Sequence, residues 1–273
     1  MNKILQKRRL APNVCEYVLE APLVTRHCKA GQFVIVIVDE NGERVPFTIC
    51  DYDRLKGTVT ILVQEVGYTT IKLSKKEVGD TVYGFVGPLG NATDLSEFKN
   101  VVLVGGGIGT AVIYPQAKEL YGNKKVDVIV GARNKDLVMY EEEFRNHSDE
   151  LYVMTDDGSY GEKGFVTDKL KQLLDGGKNY DCVFAVGPMP MMRAVANLTR
   201  EYGVHTVVSM NSIMVDGTGM CGGCRVSVGG EVKYACVDGP EFDGHLVDFD
   251  EAIARLGYYK EIEAEHKCRL EKL

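Results

Sequence analysis

The chain has 273 residues, 45% of them hydrophobic and 26% charged, with a formal net charge of −7 and a mean hydropathy of −0.11. That length suits about two domains with sizeable cores. The longest basic run is "KRR" at 7–9, read as a solvated turn, so a nucleic-acid partner, which needs a clustered cationic face, is excluded. No apolar h-region follows "MNKILQKRRLAPN", and the longest apolar run, "FVIVIV" at 33–38, is too short to span a bilayer. A cytoplasmic protein without a membrane partner is expected.

Residues 1–97 alternate strand patterns with turns: "CEYVLEA" (15–21), "QFVIVIV" (32–38), "VPFTIC" (45–50), "TVTILVQEV" (58–66) and "TVYGFVG" (81–87). Many short strands without a long helical pattern predict a small antiparallel barrel or sandwich. One helix is expected over 69–76, with Thr69 or Thr70 as its cap.

Near residue 98 the period changes. "VVLVGGG" is a continuous apolar run ending in glycines, the pattern of a parallel strand buried on both faces. Alternating helix and strand patterns then run to "HTVVSM", which predicts a doubly wound parallel α/β domain over 98–210. Pro115 inside the first helix pattern predicts a kink or a late start. From 211 to 249 the chain becomes rich in Gly and Cys, with a hairpin expected in "CRVSVGGEVKYAC". The tail, 250–273, reads as a charged helix.

Of the eight cysteines, Cys15, Cys28, Cys50, Cys182 and Cys268 are scattered, as small buried hydrophobes are. The other three form Cys221-x2-Cys224-x11-Cys236, with Asp216 five positions before Cys221. Plant-type 2Fe–2S proteins use C-x4-C-x2-C and a distant fourth cysteine. The array has the same spacing with a carboxylate in the first place, and its glycines let a loop wrap closely around a cluster. A structural zinc with Asp216 or His245 as fourth ligand is the chemical rival, and three buried thiols beside a turn aspartate is the plain alternative.

"VLVGGGIGTA" (102–111) follows a strand and opens a helix, so Gly105, Gly107, Ile108 and Gly109 form a candidate dinucleotide turn, although Thr110 replaces the last glycine of G-x-G-x-x-G. Asp156 and Asp157 in "TDDGSYGEKG" suit a ribose 2′-hydroxyl and would repel a 2′-phosphate, favouring NAD, whereas Arg133 argues for NADP. In "RVPFTI" (44–49), Arg44 could pair with a flavin pyrophosphate and Thr48 with the isoalloxazine edge. "GYTT" (67–70) is a second candidate anion site.

Taken together, these motifs resemble the ferredoxin–NADP reductase superfamily. The resemblance implies FAD on the R-x-P-x-S/T strand (Arg44, Pro46, Phe47, Thr48) and at Gly67, Thr69 and Thr70. It places the nicotinamide of NAD near Gly187, Pro188 and Met189 of "GPMPMM". With the cysteine loop, the chain is similar to electron-transfer subunits of class B dihydroorotate dehydrogenase. "MVDGTGMCGGCRV" and "ACVDGPEFDGHLVDFDE" resemble more closely the small subunits of NADH-dependent reduced ferredoxin:NADP oxidoreductases, which bifurcate electrons. That resemblance implies a 2Fe–2S cluster on Asp216, Cys221, Cys224 and Cys236, where dihydroorotate-linked subunits have a fourth cysteine. It also implies direct hydride transfer to FAD without a catalytic acid or base. The partner implied is a larger subunit carrying NADP(H), a second FAD and 4Fe–4S clusters, which passes electrons to ferredoxin. A zinc-stabilised nucleotide-binding regulator is the reading from another class. Two positions depart from the superfamily pattern: Val186 stands where many members have cysteine beside the flavin, and "GYTT" lacks a second glycine.

Overall fold

The computed structural model describes residues 2–258. The N-terminal part contains β1 (Asn2–Ala11), β2 (Val14–Glu20), α1 (Pro22–Thr25), β3 (Phe33–Ile37), β4 (Arg44–Thr48), β5 (Asp51–Asp53), β6 (Thr58–Gln64), α2 (Tyr68–Ser74), β7 (Thr81–Val82) and β8 (Gly84–Leu89). The strands form two antiparallel sheets, ordered β5-β6-β2-β1-β7 and β4-β3-β8, around one apolar core.

"KRR" is not a turn. Lys7, Arg8 and Arg9 lie in β1 and pair with Glu77 at 2.5 Å, Glu16 at 3.0 Å and Glu65 at 2.7 Å. The charges hide a strand that the sheet itself imposes through its pairing with β2. "TVYGFVG" is broken at Tyr83 into β7 and β8, which belong to different sheets. The cap of α2 is Gly67, and Thr70 sits three residues into the helix, its hydroxyl accepting from the Gly67 N–H at 3.0 Å.

"FVIVIV" is apolar throughout because β3 is covered on both faces. Val34 and Val36 join the barrel core, whereas Phe33 and Ile35 pack with Cys224, Ala235 and Cys236 of the cysteine-rich segment. An antiparallel strand normally has one wet face. Here the second face is roofed by the last part of the chain.

The α/β part contains β9 (Asn100–Gly106), α3 (Gly109–Leu120), β10 (Lys125–Ala132), a 3-10 turn at Lys135–Leu137, α4 (Glu141–Arg145), β11 (Glu150–Thr155), β12 (Glu162–Lys163), α5 (Val166–Asp175), β13 (Cys182–Val186), α6 (Met189–Glu201) and β14 (His205–Ser209). Val101 and Leu103 of β9 enter the core beneath α3 and α4, and Val102 and Val104 enter the core beneath α5 and α6, as a doubly wound sheet requires. α3 begins at Gly109 with Pro115 inside it, so the proline does not delay the start. α4 is short and is entered through Tyr140 at φ 61°.

The cysteine-rich segment supplies the hairpin β15 (Arg225–Val228) and β16 (Glu231–Tyr234), then β17 (Glu241–Asp243), and α7 (Phe249–Leu256) follows it. β17 pairs antiparallel with β14 and completes a seven-stranded sheet ordered β12-β11-β10-β9-β13-β14-β17. The sheet is therefore parallel with one antiparallel edge strand. Of the expected tail helix, α7 is observed, and 259–273 lie outside the described residues. No helix among the described residues is long and apolar enough to cross a membrane.

Candidate redox site

The strand order turns at β9, with β10 on one side and β13 on the other, so a crevice opens at their carboxyl ends. Gly107 adopts φ 56° and its N–H reaches Gly131 O at 3.0 Å, bending the chain from strand into α3. Gly109 abuts β13: a Cβ there would lie 2.3 Å from Val186 O. Gly187 and Pro188 face the same crevice, and the Met189 side chain is buried in the core below α6. Met191, which the sequence reading did not single out, lines this crevice. Its thioether sits where a Cβ on Gly106 or Gly187 would come within 2.3 and 2.7 Å. The run of methionines in "GPMPMM" was the available signal.

At the rim, Asp156 N–H donates to Ala132 O at 3.0 Å and Asp157 N–H to Arg133 O at 3.3 Å, so the acidic pair and Arg133 share one edge. The Asp157 carboxyl is held below its ordinary range by the Ser159 side chain and by the Ser159 N–H at 2.9 Å. Close by in the chain, Asn134 Oδ1 is buried without a protein partner. An orphaned acceptor three residues after Gly131, whose carbonyl receives the Gly107 N–H, fits a nucleotide, whose ribose and adenine carry donors.

The candidate flavin residues divide by face. Arg44, Pro46 and Thr48 alternate with Val45 and Phe47 along β4, and they pair with Ile37, Ile35 and Phe33 of β3. They therefore lie on the outer face, half-buried, whereas the Phe47 side chain points into the barrel core. Arg44 is already engaged: Nε donates to Val215 O at 3.1 Å and Nη2 to Asp216 O at 3.0 Å. Thr69 Oγ1 donates to Glu43 Oε2 at 2.5 Å, so a carboxylate stands there where a phosphate oxygen was expected, and the Thr70 hydroxyl serves the start of α2. A cation, a compact pyrrolidine ring and a hydroxyl in one half-open row fit a flavin on this face.

The four expected metal ligands come from one loop and the hairpin beyond it. The hairpin brings Cys224 Sγ to 3.2 Å from Cys236 Sγ, both buried. That separation is too long for a disulfide. Burial pushes the Cys236 thiol up to about 12, and contact with Cys224 adds to the shift. Cys221 is exposed, and the N–H groups of Gly223, at 3.4 Å, and of Asp216 hold its thiol below the usual range. The Asp216 carboxylate accepts from Thr218 Oγ1 at 2.5 Å, Thr218 N at 2.9 Å and Met220 N at 3.1 Å, which lower its pKa in that order. Thus two of the four ligands meet and two face their own loop. Among the described residues no three such side chains converge to metal-binding distance. His245 is turned away, its Nε2 3.0 Å from Thr199 Oγ1 on α6.

The loop is pressed against the barrel. Gly217, at φ 81°, leaves room for Ile35 and Leu89, whose carbons would lie 3.0 and 3.1 Å from a Cβ there. Arg255 of α7 donates to Gly223 O at 3.2 Å. Three thiols, a carboxylate, backbone N–H groups directed at sulfur and an apolar wall form a donor set suited to an iron–sulfur cluster.

An antiparallel barrel, a doubly wound nucleotide domain and a cysteine-rich segment locked between them define an oxidoreductase of the ferredoxin–NADP reductase type. Residues 103–197 match the oxidoreductase NAD-binding domain, and residues 211–248 match the iron–sulfur cluster binding domain of dihydroorotate dehydrogenase B. The chain is 46% identical to a dihydroorotate dehydrogenase B (NAD(+)) electron transfer subunit homolog of Thermotoga maritima, over 96% of this chain and 93% of that one. It is 36% identical to the electron transfer subunit of Geobacillus thermodenitrificans, over 88% and 94%. A solved structure described as the NADH-dependent reduced ferredoxin-NADP oxidoreductase, studied for flavin-based electron bifurcation, matches with a TM-score of 0.93. Its sequence is 45% identical, and the match covers 99% of this chain and 98% of that one. The chain belongs to the family of dihydroorotate dehydrogenase B electron transfer subunits and their homologs.

Proposed function

We propose that this chain is the NAD-side electron-transfer subunit of an electron-bifurcating NADH/ferredoxin:NADP oxidoreductase, acting with a larger flavoprotein that carries NADP(H), FAD and 4Fe–4S clusters. The observation that carries the electron-transfer role is the shared outer face of β4-β3-β8, on which the Arg44, Pro46 and Thr48 row and the Cys224–Cys236 pair both lie. The assignment to a bifurcating complex is supported by near-complete structural likeness to the ferredoxin–NADP oxidoreductase chain, beside a family match that keeps the dihydroorotate-linked role as second reading.

When bound, FAD supplies two-electron exchange with a nicotinamide, and a 2Fe–2S cluster on Asp216, Cys221, Cys224 and Cys236 supplies one-electron transfer. Everything else is positioning. The turn at Gly105, Gly107, Ile108 and Gly109 presents backbone to a pyrophosphate at the start of α3. Asp156 and Asp157 accept from ribose hydroxyls and repel a 2′-phosphate. Gly187 and Pro188 leave a slot for the nicotinamide, and Met191 fills it from the side. Gly67, Thr69 and Thr70 complete the flavin site beside Arg44. Hydride transfer needs no protein acid or base, so Val186, Gly187 and Pro188 serve by position.

The test is an absorbance and EPR spectrum of anaerobically prepared protein, with iron, zinc and flavin quantified. One FAD and about two irons per chain, with bleaching on NADH addition, are expected. Stoichiometric zinc without iron or flavin would overturn the proposal. Co-purification with a dihydroorotate-binding barrel, in place of a larger iron–sulfur flavoprotein, would transfer it to the second reading.

A further inference from the structure

Arg44 is expected to hold a flavin, yet both of its recorded hydrogen bonds reach the metal loop, 171 and 172 residues away. The acceptors are main-chain carbonyls, of Val215 and of Asp216. A trans peptide points its C=O and N–H in opposite directions. The Val215 carbonyl and the Asp216 N–H belong to one peptide, so a guanidinium drawing the oxygen toward β4 turns the hydrogen the other way. On the same loop, the Sγ of Cys221, the exposed thiol of the expected ligand set, accepts from the Gly223 N–H at 3.4 Å. The other end of the loop is held in the same manner, Arg255 drawing Gly223 O toward α7. Only Arg44 stands on a strand of the candidate flavin face.

We propose that Arg44 is a positioning residue that fixes the Val215–Asp216 peptide at the head of the loop carrying Cys221, making the metal loop and the flavin strand one mechanical unit. The inference rests on the iron–sulfur reading given above. Two charge-assisted hydrogen bonds fix the peptide plane, and with it the path of the loop toward Cys221. A hydrogen bond to a ligating sulfur stabilises the more negative, reduced state, so the loop's amides raise the potential of whatever iron the thiols hold. A single arginine thus stands in the flavin row on β4 and reaches the metal loop with its guanidinium.

The experiment uses anaerobic full-length protein stripped of flavin, so that a lost flavin contact cannot mimic a lost loop contact. Wild type, Arg44→Met, Arg44→Lys and Arg255→Met are compared. The readouts are the rate of iron loss to a chelator, the EPR line shape and midpoint potential of the reduced cluster, and hydrogen exchange at Thr218 and Met220. In Arg44→Met we expect iron loss and exchange to accelerate about tenfold, the weight of one to two such bonds, with a changed EPR line and a lower midpoint. Lysine, which offers a compact charge and no fork, should restore iron retention in part and the line shape little. Arg255→Met should accelerate iron loss while leaving the midpoint nearer wild type. Identical EPR lines, potentials and iron-loss rates in wild type and Arg44→Met, both stripped of flavin, would overturn this inference and leave the iron–sulfur reading standing. A wild-type chain without iron would sink both together. Should Arg44→Met not fold, Arg44→Lys carries the decision through its EPR line and midpoint.

Discussion

Asp216 has two separable attachments. Its carboxylate gathers Thr218 and Met220, and its carbonyl receives Arg44. Asp216→Ala removes the first and leaves the second, so iron per chain should fall steeply while FAD content, read from the same sample, stays near wild type. Equal loss of both would mean that the carboxylate also orders the flavin face. Asp216→Cys should still assemble a cluster with an altered EPR spectrum, because a thiolate is a softer donor than a carboxylate; an unchanged spectrum would remove Asp216 from the ligand set. A second residue-scale expectation concerns Glu241, whose carboxyl is enclosed although the residue keeps some exposure. Burial pushes it up to about 7, and Thr93 Oγ1, donating at 2.6 Å, opposes the shift. The folded chain therefore holds a proton that the unfolded chain releases near 4.5. Stability is greatest below that lower value and is lost as pH rises toward 7, by at most about 3 kcal/mol. Melting curves from pH 4.5 to 8 should show the decline, and Glu241→Gln should flatten it. The cysteine array with Asp216 stands out as a spacing in the sequence, whereas Glu241 does not: its partner Thr93 lies 148 positions away, and no local pattern announces such a pairing.

At the scale of elements, what the sequence disclosed depended on who covers each strand. β9 and β13 read correctly because both faces of a parallel strand are buried by helices, and the apolar run says so. β3 gave the same signal for another reason, since its second cover is the cysteine-rich segment. β1 was missed because Lys7, Arg8 and Arg9 point outward to carboxylates of other elements, and charges erase a strand pattern. The face of β3 toward the metal loop can be tested through Ile35, which is fully buried. Ile35→Ala should cost about 2–5 kcal/mol by calorimetry and should speed iron loss, whereas Val34→Ala, on the opposite face, should destabilise without the second effect. At the crevice, Gly109→Ala would drive a methyl to within 2.3 Å of Val186 O. α3 must then move off β13, and KM for NADH should rise at least tenfold while flavin content is kept. An unchanged KM would show that the pyrophosphate is bound elsewhere.

For the whole molecule, boundaries near 97, 210 and 249 are convenient in sequence, but the third segment completes two structures begun by the others. β17 covers the open edge of β14, and the hairpin region roofs β3. A fragment ending at 210 should therefore expose both an unpaired edge and the Phe33 and Ile35 face, and should elute as aggregates in size exclusion where the full chain does not; a monodisperse fragment would show that the segment is merely appended. The point at which the segment leaves and rejoins the sheet has a further meaning. Ser209 and Glu241 are cross-strand neighbours, so everything between them is a closed excursion whose two ends already touch. Such an insert strains nothing at its base when exchanged. Trading 210–240 between homologs, together with the arginines at positions 44 and 255 that hold its loop, would move a metal centre from one reductase to another as a cassette, leaving the nucleotide and flavin scaffolds as they were.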